Sequence, residues 1–128
     1  MNIISTFSGC GAMDLGFKKA GFRTILATDV WDTACLSLSK NKLADKIICD
    51  DIKNIKFNPY KGKIDGVIGG PPCQPYSQTR HYLINKKKGF NDEISGYTVP
   101  QFLRVVSEVD PKFFVFENVD GFAYKTHK

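Results

Sequence analysis

Several patterns that mark common classes of protein are missing from this sequence. Its four cysteines include no CxxC pair, which argues against a zinc site. No apolar run approaches the roughly 18 residues of a membrane-spanning helix, and the N-terminus lacks a signal-peptide pattern. Repeats and low-complexity tracts are also absent. We therefore expect one cytoplasmic domain over residues 1–128 that binds no metal and contacts no membrane, with free thiols, three of them buried.

Arginine is scarce, and the positive charge is concentrated in one place. The chain has 18 basic and 13 acidic residues, but only three arginines. Residues 80–90 contain Arg80, Lys86, Lys87 and Lys88 and no acid, so the remainder holds 14 basic against 13 acidic residues. Two interpretations remain open for this segment: a solvated loop, or a surface that contacts the phosphates of a nucleic acid.

Short apolar strands mostly alternate with segments of helical periodicity, which predicts an α/β domain with a parallel sheet. Strands are expected at 2–7, 22–28, 46–49, 64–68 and 112–117, and apolar helix faces at 13–20, 31–38 and 102–109. Thr98 and Gln101 form the pattern of a capping box, with Pro100 in the first turn of the last helix. The last strand does not alternate, which predicts that both of its faces are covered.

The segments that follow the strands carry polar residues typical of a nucleotide site. "SGCGAMDLG" follows the first strand, but Asp14 replaces the third glycine of the dinucleotide fingerprint, so a dinucleotide-dependent oxidoreductase is disfavoured. Asp29 ends the second strand, where a carboxylate can accept hydrogen bonds from both ribose hydroxyls or can cap the next helix. Asp51 and Ile52 follow the third strand and are suited to hold an adenine.

Two further residues are candidates for covalent and proton-transfer chemistry. Cys73 lies in "GGPPCQPYS", where the prolines exclude a helix or central strand. A small buried thiol is the alternative there, but rigid presentation favours a nucleophile, which would need help to become a thiolate. Glu117 ends an apolar strand, a setting in which a carboxyl group can share a proton with a heterocycle.

Three motifs resemble those of the cytosine-5 DNA methyltransferases, in the order of that family: "FSGCGAMDLGF", "GGPPCQPYS" and "ENVDGF". The resemblance runs from about Ile3 to Phe122. It implies a Rossmann-like, S-adenosylmethionine-dependent methyltransferase fold, of which this chain is the N-terminal part. It also implies duplex DNA as substrate, with Cys73 adding to C6 of a flipped cytosine and Glu117 holding its amine and N3.

The resemblance assigns further residues by position. Those implied to bind S-adenosylmethionine are Phe7, Ser8, Gly9, Cys10, Gly11, Asp29, Val30, Asp51, Ile52 and Pro72. Those implied to lie near DNA are Gln74, Ser77, Arg80, Lys86, Lys87, Lys88 and Asn118, the last of which is more suited to orient the Glu117 turn.

The chain departs from the family pattern in several ways. Ala12 replaces a common glycine, and "NDEISG" lacks the arginine of the family's mobile loop. The family's Gln-Arg-x-Arg segment and target-recognition region are absent, so the last strand is expected to leave an open apolar edge. Three alternatives therefore stay open: a fragment that is nearly inactive alone, a non-catalytic cofactor-binding half that pairs with a companion chain, and a transfer RNA methyltransferase.

Overall fold

A computed structural model of the chain describes residues 1–72 and 96–120. Its elements alternate as the sequence predicts. The strands are β1 (Asn2–Thr6), β2 (Arg23–Asp29), β3 (Lys46–Cys49), β4 (Gly66–Gly69) and β5 (Phe113–Phe116). The α-helices are α1 (Ala12–Lys19), α2 (Asp32–Lys40) and α3 (Thr98–Val109), and two short 3₁₀ turns cover Ile52–Asn54 and Asn58–Tyr60.

The five strands form one parallel sheet in the order β3-β2-β1-β4-β5. The chain builds outward from β1 to β3 and then crosses to the other side of β1, which is the doubly wound arrangement. All five carboxyl ends lie at the same edge of the sheet. The α/β prediction is therefore confirmed, and the loops after β1, β2, β3 and β4 are brought together.

The two faces of the sheet are covered by different helices. Leu26 packs in a core cluster with Phe102 and Val105 of α3, whereas Ala27 packs with Leu38 of α2. Because consecutive strand residues point to opposite faces, α2 and α3 lie on opposite sides. The larger cluster also includes Ile52, Ile55 and Phe57, all almost fully buried, so the segment after β3 is packed against α3.

Helix α1 is held to the sheet in an unexpected way. The sequence predicts an apolar face with Met13 and Phe17, but both are only half-buried, and the buried side chain of the helix is Asp14. Gly21, which is predicted to close the helix, adopts a left-handed φ of 87°, and Phe22 N–H returns to Phe17 C=O. The position of the helix is therefore predicted correctly, and its buried face is not.

The capping-box prediction for α3 is wrong. The N-cap is Tyr97, Thr98 is already helical, and the Gln101 side chain accepts a hydrogen bond from Arg104 Nε at 2.6 Å. Pro100 does lie in the first turn, and the helix ends before Asp110 as expected, with that residue left-handed at φ 53°.

Strand β5 is an edge strand among the described residues. The prediction that both of its faces are covered is wrong, because consecutive side chains, which point to opposite faces, are exposed. Phe114 is 54% exposed and Val115 is 38% exposed. On the α3 side, the Phe102 ring meets Phe114 and Phe116 edge to face, at centroid distances of 6.2 and 5.2 Å. The expected open apolar edge is present in this part of the chain. None of the described helices is long and apolar enough to cross a membrane.

Candidate cofactor site

A cavity of about 420 Å³ opens at the carboxyl ends of the strands. Its volume is within the range of small-molecule sites. Seven of the ten residues that the sequence assigns to the cofactor line it: Phe7, Gly9, Asp29, Val30, Asp51, Ile52 and Pro72. They come from four separate loops, so the parallel topology is what brings them together.

Asp29 connects two of these loops. Its Oδ2 accepts a 2.8 Å hydrogen bond from Gly9 N–H, and its Oδ1 accepts one of 3.0 Å from Trp31 N–H. The alternative role as the cap of α2 is not seen, because that helix has Trp31 as N-cap without a side-chain cap. A carboxylate has about four lone-pair sites, so two remain for hydroxyl groups of a ligand.

The loop after β1 turns sharply at the cavity. Phe7 has a φ of 52°, which is uncommon for a bulky residue and typical of strained functional loops. Gly9 follows with a φ of 55°. The strained turn places Phe7 and Gly9 beside the cavity.

The other three residues assigned to this loop support it instead of lining the cavity. Ser8 Oγ donates to Ser5 Oγ at 2.9 Å, and the Cys10 carbonyl accepts from Ser37 Oγ at 3.0 Å. Gly11 has a φ of 88°, and a Cβ there would lie 2.3 Å from Leu43 Cδ1. The loop is thus tied to β1, to α2 and to the segment after α2.

Asp51 also lines the cavity, and its carboxylate stays charged at neutral pH. Burial opposes its ionisation, but hydrogen bonds from the backbone and ammonium of Lys53 and from the Tyr97 hydroxyl outweigh it and lower the pKa of Asp51. The Lys53 ammonium also lies 4.2 Å from the centre of the Tyr97 ring. Tyr97 in turn has a raised pKa, chiefly because it is partly buried and then because it faces Asp51.

Sequence reasoning missed several residues that line the cavity: Thr28, Trp31, Asp50, Gly70, Tyr97 and Thr98. The sequence periodicity predicts Trp31 on the apolar face of α2, but Trp31 precedes that helix and is 71% exposed. An exposed tryptophan directly after a strand end is the signal that could have identified it.

Of the two catalytic candidates, Glu117 belongs to the described residues and lies beside this cavity. Glu117 follows β5, its N–H donates to Gly69 C=O at 3.0 Å, and a Cβ on Gly70 would lie 3.0 Å from Glu117 Oε2. Glu117 is exposed among the described residues, so the expected apolar surroundings are not found. Cys73 and the proposed DNA contacts Gln74, Ser77, Arg80, Lys86, Lys87 and Lys88 lie outside the described residues.

The described thiols differ from expectation in their burial. Cys10, Cys35 and Cys49 are free, as predicted, but Cys10 and Cys49 are exposed. Cys49 ends β3, which lies at one end of the described strand order, and Cys10 is in the loop after β1. A hydrogen bond with the Cys35 thiol, with smaller effects of burial and Asp32, raises the pKa of Cys49 to about 12. Cys49 therefore remains a thiol at neutral pH and is a poor nucleophile.

Comparison with known proteins decides the family. Residues 1–128 match the C-5 cytosine-specific DNA methylase family. The chain belongs to this family. Members of the family use S-adenosylmethionine as methyl donor, and the described sheet belongs to their Rossmann-like fold.

Two bacterial type II methyltransferases are similar to this chain in sequence. The type II methyltransferase M.NgoPII of Neisseria gonorrhoeae is 39% identical over 127 residues, which cover 99% of this chain and 36% of that protein. The type II methyltransferase M.AquIA of Picosynechococcus is 44% identical over an alignment of 128 positions, which covers 93% of this chain and 48% of that protein. The chain therefore spans between a third and a half of these relatives.

Solved structures give the same result for the fold. A protein described as a DNA modification methyltransferase of an Escherichia coli prophage superposes with a TM-score of 0.78 at 31% identity, covering all of this chain and 34% of its own. The Dnmt2 methyltransferase of Schizosaccharomyces pombe superposes with a TM-score of 0.68 at 18% identity, covering 99% and 37%, and this likeness concerns the fold alone.

Proposed function

We propose that residues 1–128 form the cofactor-binding and catalytic part of an enzyme that transfers a methyl group from S-adenosylmethionine to C5 of cytosine in DNA. The observation that carries the proposal is the strand-end cavity, which is bordered by Pro72 immediately before Cys73 and lies next to the Glu117 turn. Family membership over the whole chain supports it.

The chemistry of the cavity suits this cofactor. Its described lining includes the carboxylates of Asp29, Asp50 and Asp51 and no lysine or arginine. Such a lining repels phosphate and attracts hydroxyls, amines and cations, so it favours a sulfonium nucleoside over a dinucleotide. Asp29 is suited to the ribose hydroxyls, Asp51 to the adenine amino group, and Ile52 and Val30 to the adenine faces. When bound, S-adenosylmethionine supplies an electrophilic methyl group.

The proposed catalytic residues make cytosine reactive towards that group. The Cys73 thiolate adds to C6 of the ring, and the electron pair displaced from the C5–C6 bond makes C5 nucleophilic. Glu117 holds the exocyclic amine and gives a proton to N3, which stabilises the developing charge. After C5 is methylated, its proton is lost to a base or to water, and the Cys73–C6 bond breaks to restore the aromatic ring.

The cytosine has to leave the duplex before Cys73 can reach it, at a cost of a few kcal/mol. The basic segment with Arg80 and the three lysines 86–88 is proposed to contact the DNA backbone together with Gln74 and Ser77. Asn118 is proposed to act on protein: its Nδ2 donates to Pro71 C=O at 3.1 Å. Target recognition is assigned to a companion chain or to further sequence, so we propose that the 128 residues alone are nearly inactive.

The decisive experiment compares Cys73→Ser with Cys49→Ser in the intact protein isolated from its source. Tritiated S-adenosylmethionine is offered with cytosine-containing duplex DNA and, separately, with transfer RNA. We expect Cys73→Ser to abolish transfer to DNA and to retain cofactor binding, whereas Cys49→Ser keeps its activity. Transfer to DNA by Cys73→Ser would refute the mechanism. Preferred transfer to transfer RNA would show that RNA, and not DNA, is the substrate. Appreciable methylation by the 128-residue chain alone would refute its proposed inactivity.

A further inference from the structure

The wall of the cavity that carries Asp51 and Ile52 needs support from outside its own strand. It follows β3, which lies at one end of the described strand order and pairs with β2. Ile52, Ile55 and Phe57 anchor the segment after β3 to the core by burial. Apolar packing is non-directional, however, and does not by itself fix the orientation of the peptide groups that aim Asp51 and Ile52 at a ligand.

One guanidinium group supplies that orientation. Arg104 of α3 donates through Nη2 to Ile52 C=O at 2.7 Å and through Nη1 to Ile55 C=O at 3.2 Å. The first carbonyl belongs to the first residue of the 3₁₀ turn Ile52–Asn54, and the second belongs to the residue directly after that turn. One rigid guanidinium group therefore fixes both ends of the turn. A lysine in its place would keep the charge but lose the planar fork.

Two neighbours on the same helix fix the guanidinium. Arg104 Nε donates to Gln101 Oε1 at 2.6 Å, and Nη1 donates to Glu108 Oε1 at 2.7 Å. Glu108 Oε2 accepts from Phe57 N–H at 2.9 Å, which is a third main-chain point on the same segment. Burial opposes the ionisation of Glu108, but the bonds from Arg104 and Phe57 outweigh it and lower the pKa of Glu108.

The helix that carries this network also forms the adjoining part of the cavity. Tyr97 and Thr98, at its N-terminus, line the cavity, and the Tyr97 hydroxyl donates to Asp51 Oδ2 at 3.3 Å. We propose that Arg104 is a positioning residue for base recognition: it sets the geometry with which Asp51 and Ile52 select an adenine. This inference rests on the proposed function, since it concerns the same cavity.

The test measures selectivity for the base, which a merely structural role would leave unchanged. The 128-residue chain is titrated with S-adenosylhomocysteine and with S-inosylhomocysteine, which has a 6-oxo group where adenine has its amino group. Trp31, the single tryptophan of the chain, lines the cavity and reports binding by its fluorescence. Arg104→Lys is compared with Arg23→Lys, whose parent side chain is 71% exposed in an ion pair with Asp45.

We expect the unaltered chain and Arg23→Lys to prefer the adenosyl ligand by about tenfold or more, and Arg104→Lys to lose most of that preference. An Arg104→Lys chain that binds both ligands more weakly but keeps their ratio would overturn the inference. So would an unaltered chain that binds both ligands equally well.

Failure of the proposed function would be recognised separately, because the unaltered chain would then bind neither ligand. Far-UV circular dichroism establishes whether each variant is folded. Should Arg104→Lys fail to fold, Gln101→Ala carries the same test, since it removes only the acceptor that orients Nε at a half-buried position. An unchanged ligand ratio in that folded variant would likewise overturn the inference.

Discussion

The side-chain amide of Asn118 donates a 3.1 Å hydrogen bond to the backbone carbonyl of Pro71, across 47 residues of sequence. Its Oδ1 accepts from Val119 N–H at 2.9 Å, so both ends of the amide are used. The turn after β5 is thereby tied to the segment that leads from β4 to Cys73.

This bond predicts how substitutions of Asn118 affect stability. Asn118→Ala loses the bond and is expected to lower the free energy of unfolding by about 1 kcal/mol. Asn118→Asp is expected to lower it further, because a carboxylate would face the Pro71 carbonyl without a donor. Urea denaturation of the chain measures both, with Val119→Ala as the control in the same turn. Equal stability of the alanine and aspartate variants would contradict the proposed geometry.

Two glycines give opposite predictions for the same substitution. Gly11 has a φ of 88°, and an added Cβ would lie 2.3 Å from Leu43 Cδ1 and 2.8 Å from Leu38 Cδ2. Gly11→Ala is therefore expected to destabilise the chain by about 1–3 kcal/mol. Gly16 lies within α1 with nothing within 4 Å of such a Cβ, so Gly16→Ala is expected to stabilise by about 0.5–1 kcal/mol. Thermal or urea unfolding of the two variants measures both changes in stability. Similar changes in the same direction would refute the prediction.

Replacement of Asp29 by asparagine is expected to weaken both the site and the fold. The amide has one acceptor oxygen, so its NH₂ group would face the N–H of either Gly9 or Trp31. We expect about 1–3 kcal/mol less stability and at least about tenfold weaker binding of S-adenosylhomocysteine by calorimetry. Asp45→Asn, in an exposed ion pair with Arg23, is the control and should change stability by less than about 0.5 kcal/mol. Unchanged binding by Asp29→Asn would exclude this carboxylate from the site.

Asp14 predicts an unusual pH dependence of stability. Burial raises its pKa above the usual 3.8 and outweighs the hydrogen bonds from Ser5 and from its own backbone. The folded chain therefore holds the Asp14 proton more tightly than the unfolded chain. The stability that Asp14 contributes is present below pH 3.8 and is lost as the pH rises through the folded pKa.

The measurement is the free energy of unfolding of the unaltered chain and of Asp14→Asn between pH 3 and 7. We expect the stability of the variant relative to the unaltered chain to increase with pH. Asp65→Asn serves as a control of opposite sign, because the Lys112 ammonium and Asn2 N–H lower the pKa of Asp65. Its relative stability should decrease as the pH rises. A pH-independent difference for Asp14→Asn would contradict the raised pKa.

The sequence predicts what depends on local periodicity and on the topology of parallel strands. The order of elements and the meeting of Phe7, Asp29 and Ile52 at one cavity follow from such patterns, because strand ends in a parallel sheet converge. Trp31 was misassigned because its spacing fits the apolar face of α2 as well as it fits a residue just before that helix. A boundary error of one residue therefore changes the interpretation of Trp31.

Features that depend on distant partners could not be predicted in this way. The Gln101 side chain bonds to Arg104 instead of capping α3, and Arg104 is placed by carbonyls that lie 49 and 52 residues earlier. Asp14 has the spacing of a surface acid on a short helix, but it is buried, and its carboxylate accepts a hydrogen bond from the hydroxyl of Ser5 in β1. The exposure of Phe114 and Val115 in β5 depends on which elements cover that strand, which no local pattern encodes. The open edge of β5 is expected only from the resemblance to the family and not from periodicity.

The central position of β1 also bears on synthesis of the chain at the ribosome. Its neighbours are β2, which begins at residue 23, and β4, which begins at residue 66. At roughly 5–20 residues per second, about 60 further residues take several seconds to be made. During that time one side of β1, the strand that contains the apolar residues Ile3 and Ile4, lacks its native neighbour β4. Capture of this strand by another chain or by a chaperone is therefore restricted to a defined interval, which closes when β4 emerges.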